Sequence, residues 1–90
     1  GKYGMLRDTF LRENHRTTYM SWMLQGTLQA HLREVDQRAQ EEVDQMVAEM
    51  MKRDGVNEEL KARDPMAWVQ KVNALTAQAE EVVLGEIVYK

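Results

Sequence analysis

The chain has 90 residues, 12 lysines and arginines against 15 aspartates and glutamates, a formal charge of −3 and no cysteine. That length holds one helical domain, residues 1–90, with material for one core and little more. The lack of cysteine excludes a disulfide framework and any thiolate metal site or nucleophile, and the acidic balance argues against a generally basic nucleic-acid binder.

Hydrophobic residues make up 43% and charged residues 30%. The signs are mixed, as in a folded domain rather than a disordered one. Good helix formers dominate, with a single proline and five glycines, so the expectation is an all-α fold. The predicted architecture is a small helical bundle of four to five helices with one long central helix. No apolar run approaches the roughly 18 residues a membrane span needs. A cytoplasmic protein without membrane contact is expected.

The first helix is predicted from about Tyr3 to Asn14, with Tyr3, Leu6 and Phe10 on one face. A second runs from about Arg16 to Gln25 with Tyr19, Met20, Met23 and Leu24, and Gly26 stops it because glycine accepts the left-handed C-terminal conformation. The third and longest begins at Thr27 as N-cap and ends at Asp54-Gly55. Its apolar stripe is Leu28, Leu32, Val35, Ala39, Val43, Met46 and Met50, spaced by three and four residues. Glu34 to Arg38 and Glu49 to Arg53 read as i,i+4 ion pairs on its outer side. Asn57 caps a short fourth helix ending near Arg63. Asp64-Pro65 starts the last, aspartate at the cap and proline at the first helical position, and it runs to about Val88. Its apolar face is broad: Trp68, Val69, Val72, Leu75, Ala79, Val82, Val83 and Ile87. The third and last helices are expected to lie antiparallel beneath the N-terminal pair, with Trp68 buried against the Val35–Met46 stretch. Apolar surface that so short a bundle struggles to cover predicts a homodimer through the long or the last helix.

Catalytic motifs are absent. Ser21 is the only serine and has no glycine elbow; no phosphate-cradling loop or His-Glu-x-x-His motif occurs. His31 with Glu34 one turn later offers two metal ligands on one face, but no second such pair exists. His31 therefore reads as a partly buried or surface histidine, and His15 as a junction residue. No catalysis, cofactor, metal or small-molecule substrate is expected. The methionines read as core filling, with Met51 the best candidate for exposure.

Two binding surfaces remain. Lys2, Arg7, Arg12 and Arg16, interleaved with Tyr3, Phe10 and Tyr19, give the first 26 residues a positive balance suited to phosphate contacts. No helix-turn-helix recognition helix accompanies them. The acidic run Glu41-Glu42-x-Asp44 reads as a solvated helix face; as an alternative, the acidic faces of Glu34, Asp36, Glu41, Glu42 and Asp44 on the long helix and Glu80 and Glu81 on the last suit a basic protein groove.

The order of residues carries a further signal. Gly1-Lys2-Tyr3-Gly4 with Arg7, Leu11-Arg12-Glu13-Asn14-His15-Arg16 with Tyr19, and Leu24-Gln25-Gly26-Thr27-Leu28 are followed by Gly55-Val56-Asn57-Glu58-Glu59-Leu60-Lys61-Ala62. Asp64, Met66, Trp68-Val69, Asn73 and Glu86-Ile87-Val88-Tyr89 complete the pattern. Over nearly the whole chain it resembles the TnpV-like proteins carried on transposable and conjugative elements. The resemblance implies an accessory role in a mobile element and brings no established activity. Members it resembles tend to carry a short lead-in before the Gly1 equivalent, so a trimmed or shortened start is expected here. They also tend to have lysine at Thr27 and arginines at Gln70, Thr76 and Gln78, which weakens a nucleic-acid role for the last helix. The expected function is a non-enzymatic binding or accessory protein, acting through protein or nucleic-acid contacts. The alternative is an anti-defence inhibitor whose acidic face enters the nucleic-acid channel of a host nuclease.

Overall fold

The computed structural model describes residues 1–90. Five α-helices follow in order, α1 (Lys2–Asn14), α2 (Arg16–Gln25), α3 (Leu28–Arg53), α4 (Glu58–Arg63) and α5 (Pro65–Val83), and a π-helical turn over Leu84–Val88 ends the last one. The fold is all-α.

Local chemistry sets the boundaries. His15, at φ −136°, separates α1 from α2 with no loop between them, so the chain bends at the Asn14-His15 junction. Gly26 closes α2 at φ 75°, where Thr27 N–H donates to Trp22 O at 2.9 Å. Thr27 precedes α3 as expected, yet its hydroxyl does not cap that helix; it reaches back to Trp22 O at 3.4 Å. The glycine-terminated end of α2 thus fixes where α3 begins. Asn57 Oδ1 accepts from Leu60 N–H at 2.9 Å and Asp64 Oδ1 from Ala67 N–H at 3.1 Å, the two caps the sequence predicts. In the π turn, Tyr89 N–H reaches Leu84 O, five residues back, at 2.8 Å. The altered winding buries the consecutive residues Ile87 and Val88 together.

The main core joins Val35, Ala39 and Val43 of α3 to Ala79, Val83, Ile87 and Val88, with Tyr3 of α1 closing over them. The chain reverses through α4, so α5 lies antiparallel to α3. α1 rests in the trough between them, running against α3 from Asp36 toward Leu28. A second cluster of Leu11, Leu28 and Leu32 holds Tyr19 and Trp22 of α2. The result is a rod, 54 × 19 × 19 Å, with a radius of gyration of 16.7 Å. A compact domain of this length has about 12 Å.

Four expectations need correction. Only α1 covers the α3–α5 pair; α2 has no buried residue and folds over the end of the rod against α1 and α3. Trp68 lies outside the main core and is half-buried. Its ring sits under Lys61 Nζ at 4.6 Å, because the residues that α5 gives to the α3 core begin only at Ala79. Neither outer ion pair of α3 forms as read: Arg38 reaches forward to Glu42 at 3.8 Å, and Arg53 pairs with Asp54 at 2.8 Å. The methionines divide, Met46 and Met50 packing on the core while Met5, Met20, Met23 and Met66 are exposed. Met51 is half-buried rather than exposed.

Ala39 and Ala79 have no exposed surface and set the spacing of α3 and α5. Ala39→Leu is expected to destabilise the fold by about 1–3 kcal/mol through overpacking. Trp68→Ala should cost less than the roughly 3–5 kcal/mol of a fully buried aromatic. Urea unfolding at constant m-value measures both.

Candidate functional site

The end of the rod that carries α2 is organised by α1, and α1 is held by polar groups. At Gly4 the helix comes so near α3 that a Cβ there would stand 3.0 Å from the Leu32 carbonyl oxygen and 3.3 Å from Asp36 Cβ. The missing side chain lets Gly4 N–H donate to Asp36 Oδ1 at 2.9 Å. A carboxylate of α3 thereby caps the positive N-terminal end of α1. Lys2 pairs with Glu80 of α5, and the buried Tyr3 hydroxyl donates to the same carboxylate at 3.1 Å. Burial, then Glu80, push the Tyr3 phenol up to about 12. The hydrogen bond from Lys2 holds the Glu80 carboxyl below the usual range against its desolvation.

One turn on, Arg7 joins three segments. Its Nε donates to His31 Nε2 on α3 at 3.2 Å, and its Nη1 donates to the carbonyls of Val88 at 3.0 Å and Lys90 at 3.3 Å. A guanidinium on the last carbonyls of a helix complements its negative end. Aromatic rings surround it: Phe10 with Tyr89 at 5.6 Å, Phe10 with His15 at 5.5 Å and Trp22 with His31 at 4.7 Å. Burial first, then the Arg7 charge, lower the His31 pKa, with Glu34 pulling weakly the other way.

The residues singled out from sequence therefore divide. Lys2, though exposed, is paired with Glu80, and the half-buried Arg7 is bonded within the chain, whereas Arg12 and Arg16 are exposed and have no carboxylate within 4.0 Å. Of the acidic set, Asp36 caps α1 and Glu42 faces Arg38. Glu34 is exposed, and Glu41 and Asp44 accept from Gln37 at 3.2 Å and Gln40 at 2.9 Å on the solvent side of α3. Glu80 is engaged with Lys2 and Tyr3, while Glu81 is exposed. His31 faces a cation rather than a carboxylate set, and no cluster of three acidic or imidazole groups converges on one point. Ser21 is exposed and accepts from Gln25 at 3.3 Å.

Two surfaces result. An open groove of about 770 Å³ lies between α1, α2 and α3, with Met5, Asp8 and Arg12 on one wall, Arg33 and Gln37 on the other, and Tyr19 at its end. Beside it α2 exposes Met20, Met23 and Leu24, at 41%, 46% and 83%. Sequence reasoning missed Arg33, Met5 and the outward direction of the α2 methionines. The available signal was an apolar content on α2 too evenly spread around the helix for one buried face.

A family model described as "Transposon-encoded protein TnpV" matches residues 1–88. No curated protein and no solved structure matches the chain.

The Arg7–His31 contact has a pH consequence. A histidine whose folded pKa is lowered stays neutral in the fold while the unfolded chain takes up a proton. Stability should be full above about pH 6.5, fall as pH drops below it, and level off beneath the lowered folded value. His31→Gln, which cannot be protonated, should flatten that segment of a stability–pH series.

Proposed function

The chain belongs to the TnpV family of transposon-encoded proteins, and from that premise we propose that it is a non-enzymatic accessory protein of a mobile genetic element that acts by gripping a partner protein. The observation that carries this reading is α2. None of its ten residues is buried, yet Tyr19 and Trp22 fix it to the rod through the Leu11–Leu28–Leu32 cluster. Anchored in this way, it presents Met20, Met23 and Leu24 to solvent. Leaving apolar surface in water costs about 25 cal/mol per Å². A rigid helix that exposes such a face at its end is a common recognition surface. Flexible thioethers adapt to the shape that covers them.

Nucleic acid is the weaker occupant. With Lys2 and Arg7 engaged internally, Arg12 and Arg16 remain from the basic set. Even with the exposed Arg33 of α3 added, three phosphate contacts give little affinity at physiological salt, and methionine and leucine add nothing to a phosphate backbone. The anti-defence reading keeps one supporting observation, the outward carboxylates of Glu34, Glu41 and Asp44. It stands second because Asp36 and Glu42 serve the fold. A cytoplasmic setting and the absence of a cofactor belong to the same proposal.

Site-specific photo-crosslinking tests it. A photoreactive side chain at Met23 should capture a discrete protein in cells that carry the element, and the same group at Gln45, exposed on α3, should not. Equal capture at both positions, or adducts with nucleic acid alone, would remove the reading.

A further inference from the structure

Three guanidinium groups stand unpaired at the α2 end of a chain whose net charge is −3. Arg12, Arg16 and Arg33 are exposed, and none has a carboxylate within 4.0 Å. The other cations on this part of the chain are engaged: Lys2 with Glu80, Arg7 with His31 and the Val88 carbonyl, Arg38 with Glu42. Arg12 and Arg33 face each other across the groove between α1 and α3. Arg16 lies one and two turns before Met20 and Met23 on α2, hence on the same face.

Apolar surface runs through the same region. Met5, 72% exposed, forms part of one wall. Tyr19 is the α2 residue that lines the groove, and the exposed Met23 follows it one turn later on α2. Two carboxylates share the groove, Asp8 and Asp36. Asp36 is taken up by the Gly4 amide. Asp8, one turn before Arg12, repels negative charge from the middle of the groove. Acidic groups are thus directed to its rims, where the arginines stand.

We propose that this groove and the adjoining α2 stripe take an acidic amphipathic helix from a partner protein, its aliphatic side on Met5, Tyr19 and Met23 and its carboxylates on Arg12, Arg16 and Arg33. The proposal rests on the reading of the chain as a protein-binding module and adds the chemistry of the partner. A guanidinium meets a carboxylate bidentately, with more specificity than a point charge. Arginines on both sides of the groove and on α2, beside the exposed Met5 and Met23, select for charge and aliphatic content together. A nucleic acid would leave the methionines uncovered. A basic helix would leave three arginines facing like charge.

The test uses the full chain and three labelled probes: a helical peptide of about 18 residues, five turns, with leucine on one face and glutamate on the other; the same peptide with lysine for glutamate; and an oligothymidylate. Fluorescence anisotropy should show the glutamate peptide binding with an affinity that falls as salt rises. The lysine peptide should bind about tenfold or more weakly, a difference near 1.4 kcal/mol. Arg12→Gln with Arg33→Gln, and separately Met23→Ser, should each weaken the glutamate peptide several-fold while circular dichroism stays unchanged. Both arginines and Met23 are exposed, so the fold does not depend on them. No peptide binding, equal binding of both peptides, or oligothymidylate binding that is tighter and indifferent to Met23→Ser would each overturn the proposal. Capture of a protein at Met23 that survives both arginine substitutions would do the same while leaving the accessory-protein reading intact.

Discussion

The seating of α1 is the constraint on which the rest of this rod depends, and that seating turns on the absence of one side chain. Gly4 allows the α1 backbone to approach Leu32 O closely enough for its amide to reach Asp36. Glycine inside a helix costs about 0.5–1 kcal/mol relative to alanine. The charged hydrogen bond it permits is of the order of 1.5–3 kcal/mol, less whatever water screens at this half-buried site. The balance favours the close approach. Once Gly4 is in place, helical geometry brings Tyr3 over the core, Lys2 onto Glu80 and Arg7 against His31 and the last carbonyls. A single crossing point therefore ties α1, α3, α5 and the C-terminal turn together.

Polar anchoring has a consequence for the surface. Each cation paired within the chain offers less charge to a partner, so the basic N-terminal segment is less basic outside than its sequence implies. Asp36 and Glu42 are removed from the acidic face in the same way. What reaches solvent is a segregated pattern. Unpaired arginines collect around α2, and the exposed carboxylates of Glu34, Glu41 and Asp44, which meet no cation within 4.0 Å, lie along α3. Selectivity for a partner follows from that residue, not from the net charge of −3.

The fold was legible where one residue type carries one local meaning. Gly26, Asn57 and Asp64-Pro65 mark helix ends through backbone chemistry that needs no tertiary contact. The stripe from Leu28 to Val43 marks the buried side of α3, because a period near 3.6 residues admits one such face. Thr27 was misleading because its hydroxyl had a competing acceptor on the preceding helix. Trp68 was misleading because size predicts burial on average and not register. The site was less legible still. Whether Lys2 and Arg7 are paired or free depends on Glu80, His31 and Val88, which lie 24 to 81 residues away in sequence. Arg33, one charge among many on a long helix, becomes distinctive only when Arg12 stands across from it.

Length explains why the recognition surface lies at one end. A helix of 26 residues spans about 39 Å, longer than the roughly 30 Å diameter of a small compact domain. The 13 residues of α1 cover half of it. At the covered end three helices converge, and α2 is left with no further layer to pack into. At the other end α4 shields one side of α5, and the trough beyond Lys2 and Tyr3 stays shallow between Val47, Met51 and Thr76. Along residues 45–72 five cations, Lys52, Arg53, Lys61, Arg63 and Lys71, balance five carboxylates, Glu49, Asp54, Glu58, Glu59 and Asp64. That end has apolar surface without a charge signature, so it can adhere but has little means to discriminate. The α2 end has both. Discrimination needs an unfavourable term for the wrong partner as well as a favourable one for the right partner. Arginines beside exposed methionines, with Asp8 between them, supply the two terms at the same place.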